Sequence, residues 1–142
     1  MFNKDCYLDH VAIAVTNLDR AQKVWEDLGL TFNSEREEVP SQQVTTAFAH
    51  VDEHAHIELV CPINEAGPIQ KFIEKNGEGI HHMSFKVPDV QKKTEELIAA
   101  GYRMIYEKAV PGANNCLVNF IHPKSTGGVL VEIATSQKDL IK

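Results

Sequence analysis

No stretch of this chain approaches the ~20 consecutive apolar residues of a membrane-spanning helix, so no membrane role is expected. Cysteine is scarce: Cys6, Cys61 and Cys116 are odd in number, widely spaced and without a CxxC pair. That excludes a disulfide framework, and reduced thiols of a cytosolic compartment are the simplest account. Basic clusters are absent too. Fourteen Lys and Arg against twenty Asp and Glu leave a net charge of −6, which argues against a nucleic-acid partner. The opening MFNKDCYLD has no apolar leader segment, so a cytoplasmic protein is expected. What remains is ordinary for a globular chain: 142 residues, 43% hydrophobic and 24% charged, enough for one domain with a real core.

The chain writes one pattern twice. LDHVAIAV (8–15) alternates, with His10, Ala12 and Ala14 on one face and Val11, Ile13 and Val15 on the other. IHHMSFKV (80–87) does the same, with His82, Ser84 and Lys86 against Met83, Phe85 and Val87. After the first strand, Asn17 caps a helix with the apolar stripe Leu18, Ala21, Val24, Trp25 and Leu28, ended by Gly29. After the second, Asp89 caps a helix carrying Val90, Thr94, Leu97 and Ile98, closed by Gly101. Strands are expected at about 31–37, 43–50 and 55–61, and again at about 102–107, 116–121 and 128–134. His10 to His82 and Gly29 to Gly101 are both separations of 72. The reading is a duplicated β-α-β-β-β unit: module one about 6–62, a connector about 63–78 holding a short helix from Pro68 to Gly77, and module two about 79–136.

The repeat brings chemistry with it. Each histidine shares a face with small or polar residues, while the opposite face is apolar and packs under the helices. The strands closing each module, AHIELVCP and GVLVEIAT, set Glu58 and Glu132 among aliphatic residues, 74 positions apart. A buried carboxylate is costly unless it is paired or bound to a cation. Two imidazoles and two carboxylates at equivalent sites therefore suggest one divalent ion held by His10, Glu58, His82 and Glu132. Such donors suit Co²⁺, Mn²⁺, Zn²⁺, Ni²⁺ or Fe²⁺ better than Ca²⁺. His50, His54 and His56 read as solvated residues around a polar loop, and His81 as pointing away from the site.

EEVPSQQV (37–44), PIQKFIEKNGEGIHHMSFKV (68–87) and FIHPKSTGGVLVEI (120–133) resemble the vicinal oxygen chelate superfamily and, within it, the methylmalonyl-CoA epimerases. The resemblance implies an α+β fold whose two tandem βαβββ modules form an open barrel around a metal. It puts His10, His82 and Glu132 on the family's metal ligands and Glu58 on the fourth position. It further implies one divalent ion per chain, Co²⁺ first, a CoA thioester substrate and a homodimer. The activity implied is inversion of the α-carbon of methylmalonyl-CoA by 1,1-proton transfer through a metal-stabilised enolate. Inversion needs proton transfer on both faces, for which Glu132 and Glu58 are the candidates. Thr46 stands where some relatives carry a glutamate base. Lys124 and Ser125, in the HPKSTGG loop, are candidates for holding an anionic part of the substrate. A glyoxalase I-type lyase, a ring-cleaving dioxygenase and a non-enzymatic binder of the antibiotic-resistance type share the fold and stay open as alternatives.

Overall fold

The computed structural model describes residues 4–140. These residues divide into two compact units, His10–His81, and 4–9 with 82–140. The divisions fall inside two strands, β1 (Tyr7–Ala14) and β5 (Gly79–Lys86).

In the first unit β1 leads into α1 (Leu18–Leu28), β2 (Glu37–Val39), β3 (Val44–His50), β4 (His56–Pro62) and α2 (Pro68–Asn76). The Asn17 side chain accepts the backbone N–H of Arg20 at 2.9 Å, a cap that contributes about 1 kcal/mol. Gly29, at φ +122°, turns the chain out of the helix, and the Leu30 N–H bonds the Trp25 carbonyl at 3.0 Å. Leu18, Ala21 and Trp25 pack on Val15, Phe32, Ala47, Ala49 and Leu59. Val24 and Leu28 do not: they are 62% and 73% exposed, so the buried stripe is narrower than the sequence suggested. β1 runs parallel to β4, which is antiparallel to β3, itself antiparallel to β2.

The second unit repeats this ladder with α3 (Val90–Ala99), β6 (Val110–Pro111), β7 (Cys116–Ile121) and β8 (Val131–Ser136). β5 is parallel to β8, β8 antiparallel to β7, and β7 antiparallel to β6. Asp89 accepts the Lys92 N–H at 3.1 Å, 72 positions after the first cap. Ala100 ends the helix, and Gly101 (φ +95°) follows where Gly29 stands in the first module. Val90, Leu97, Met104 and Ile133 form the core under this helix, while Ile98 is 45% exposed. The fold is α+β, built from two βαβββ modules.

The strand predicted right after each helix is mostly absent. Its early part makes one bridge, Phe32 with Ala49 and, 72 positions on, Met104 with Ile121. Regular pairing resumes only at Glu37 and at Val110. In the second unit a side chain replaces the ladder. Fully buried Asn119 accepts from the Tyr106 N–H at 3.1 Å and donates to its carbonyl at 2.9 Å. β8 begins at Val131, not 128, because Thr126 and Val129 close a turn before it.

Candidate metal centre

Strand pairing fixes the site residues in each module. In the first, Ala12 pairs with Glu58 and Glu58 with Phe48. In the second, Ser84 pairs with Glu132 and Glu132 with Phe120. Since side chains opposite one another in a ladder share a face, each carboxylate stands beside the row that carries its histidine. His10, Glu58, His82 and Glu132 are buried, each 7–8% exposed.

His10 Nε2 and Glu58 Oε2 are 2.9 Å apart. Two ligands held at ~2.1 Å and about a right angle on one ion stand about 3 Å apart, so the spacing suits a shared cation as well as an ion pair. Phe48 meets the His10 ring edge-on at 6.5 Å, and Phe120 meets His82 in the same way at 6.0 Å. The rings wall each imidazole with apolar surface.

In the second module the Ser84 hydroxyl, wholly buried, donates to Glu132 Oε1 at 2.6 Å. This bond to a carboxylate fixes one oxygen and leaves the other to bind. Ala12, the equivalent of Ser84, offers no such donor, and in its module the carboxylate meets histidine instead. His10, His82 and Glu132 each offer one ligand atom, all within 4.8 Å of one another. Two imidazoles and a carboxylate, buried and this close, fit a borderline divalent ion. Glu58 is not one of this trio and reaches it through His10.

Several other residues now have places. Lys86, on the His82 and Ser84 face, is half-buried and donates to Cys116 Sγ at 3.0 Å. Burial works against its charge, but Cys116, Asp9 and Tyr7 outweigh that and raise its pKa. Thr46 is 1% exposed, and its hydroxyl donates to the Glu37 carbonyl at 3.3 Å. Lys124 is exposed on the 3₁₀ turn Pro123–Ser125, and Ser125 Oγ accepts the Arg103 N–H at 2.9 Å. His122 orders this loop by accepting the Lys124 N–H at 3.0 Å on Nδ1. Partial burial, then Arg103 and Lys124, lower its pKa and favour the neutral ring that can accept. His81 lies against Phe72, ring to ring at 5.0 Å, and burial lowers its pKa despite the opposing charge of Glu58. The sequence reading missed Lys86 and Ser84, although alternation had already put both on the histidine face.

Residues 9–120 match the Glyoxalase/Bleomycin resistance protein/Dioxygenase superfamily. An ethylmalonyl-CoA/methylmalonyl-CoA epimerase of Cereibacter sphaeroides is 37% identical, over 89% of this chain and 95% of that protein. The crystal structure of a hypothetical protein of Bacillus halodurans superposes with a TM-score of 0.88 at 39% identity, covering 94% of this chain and 96% of that one. Streptomyces coelicolor methylmalonyl-CoA epimerase in complex with 2-nitronate-propionyl-CoA gives 0.84 at 29% identity, over 92% and 94% of the two chains. The chain belongs to the Glyoxalase/Bleomycin resistance protein/Dioxygenase superfamily, with methylmalonyl-CoA epimerases among its near-full-length relatives.

Proposed function

We propose that this protein is a metal-dependent epimerase that inverts the α-carbon of methylmalonyl-CoA. The observation that carries the reading is the buried group of His10, His82 and Glu132 in a chain similar over nearly its whole length to such epimerases. His10, His82 and Glu132 hold the divalent ion, with Glu58 as fourth ligand and Co²⁺ first among the candidates. When bound, the ion supplies Lewis-acid polarisation of the substrate oxygens.

The proton work falls to the chain. The α-hydrogen lies between two carbonyl groups, and a carboxylate takes it on one face while an acid returns a proton on the other. Glu132, steadied by Ser84, serves one face and Glu58, against His10, the other. Thr46 takes no part as a base: a hydroxyl is far too weakly acidic to be ionised at neutral pH, and this one is engaged with the Glu37 carbonyl. Lys124 meets an anionic part of the CoA thioester, and Ser125 pins its loop to Arg103. The same reading carries a homodimer in the cytoplasm.

The test is to incubate one methylmalonyl-CoA epimer with the metal-loaded protein in D₂O. Deuterium at the α-carbon together with racemisation is the expected result. Turnover of methylglyoxal with glutathione, and no exchange into the thioester, would overturn it in favour of a glyoxalase-type lyase.

A further inference from the structure

His50 ends one strand and His56 begins the next, as the expected strands at 43–50 and 55–61 implied, so the two flank the polar loop. They are directly opposite in the antiparallel β3–β4 hairpin, and their ring centres are 4.5 Å apart at an angle of 49°. The hairpin that holds them is tied at its turn. The Val51 N–H bonds the Ala55 carbonyl at 2.8 Å, and the Asp52 carboxylate accepts the N–H groups of His54 and Ala55 at 2.8 Å each. Those bonds fix the register and so bring the two tilted rings side by side.

We propose that His50 and His56 form a second metal site, distinct from the buried group, that takes a borderline transition ion such as Cu²⁺, Ni²⁺ or Zn²⁺. Two imidazoles bound at ~2.1 Å and about a right angle place their ring centres about 4.5 Å apart, which is the separation the rings already have. Neutral imidazole is the preferred donor for these ions, and Cu²⁺ binds most strongly among them. Water fills the remaining positions, since His50 is exposed and His56 half-buried. β1 continues the row, because His10 pairs with His56 as His56 pairs with His50. His10 is buried against Glu58, so the outer pair is the half of this row open to ions from solution.

The experiment is a Cu²⁺ titration of the whole protein, followed by calorimetry and by electron paramagnetic resonance. The parent should show one more high-affinity equivalent than either His50→Ala or His56→Ala, with the lost component carrying nitrogen hyperfine structure. The remaining component should weaken at least tenfold in His82→Ala and survive both outer substitutions. His50→Asn, a polar change at an exposed strand position, guards against a folding effect and should also lose the outer equivalent. If all three outer variants bind as many equivalents as the parent, the site does not exist. That outcome leaves the epimerase reading standing, and absence of α-deuterium exchange leaves the outer pair standing.

Discussion

Ser84→Ala removes one oxygen atom from a residue with no exposed surface, and the structure says what that atom does. Its hydroxyl donates to Glu132 Oε1 at 2.6 Å, a bond to a carboxylate between two buried side chains. Hydrogen bonds to charged groups contribute about 1.5–3 kcal/mol, and losing an outer-shell partner of a metal ligand typically costs 10–100-fold in affinity. The two estimates agree, because tenfold corresponds to about 1.4 kcal/mol. Co²⁺ titration of the parent, Ser84→Ala and Ser84→Thr should therefore give a loss of about 10–100-fold for alanine. Threonine keeps the hydroxyl and should recover most of that loss. Alanine-variant affinity within about twofold of the parent, with unfolding also unchanged, would refute the idea that Ser84 positions Glu132.

Three further outcomes are expected. His82→Ala, which deletes a ligand rather than its support, should weaken Co²⁺ binding beyond the about 100-fold limit for an outer-shell change, and a smaller loss than Ser84→Ala in the same titration would contradict the assignment. Asn119→Leu strands the groups its amide serves on Thr94, Tyr106 and Phe120. At about 1 kcal/mol for each of these bonds, and with Tyr106 partly able to reach water, the cost is about 3 kcal/mol, a fall of about 10 °C in Tm on a thermal scan. Glu78 accepts the Thr16 N–H at 2.8 Å, which with the Thr16 hydroxyl lowers its pKa below the ordinary 4.5. That stabilisation is present above pH 4.5 and is lost as the pH falls through the folded pKa. Denaturation curves of the parent and Glu78→Gln should therefore differ at pH 6–7 by a small, salt-sensitive gap and converge in acid.

The repeat was legible in the sequence because it is written in residue types. Capping residues, helix-ending glycines and alternating strands each recur at a fixed offset, His10 and His82 among them, and Glu58 and Glu132 stood out as carboxylates among aliphatic residues. The interrupted second strands were not legible. Residues 102–107 have the composition of a strand, but the side chain of Asn119, thirteen positions after Tyr106, makes the bonds that a neighbouring strand would otherwise make. Nor was the facing of His50 and His56, since the turn closed by Asp52 sets the hairpin register and composition does not reveal it. Ser84 lay on the right face, yet alternation says where a side chain points and not which atom it will touch.

The matched bridges, Phe32 with Ala49 and Met104 with Ile121, make this molecule its own reference. A change at a matched position, such as Ala12 or Ser84, has a counterpart 72 residues away against which it can be measured. Exchanging Ala12 and Ser84 between the halves would move a single hydroxyl from one carboxylate to its twin and conserve composition, charge and length. The difference between that swapped protein and its parent would report what one hydroxyl contributes beside each carboxylate.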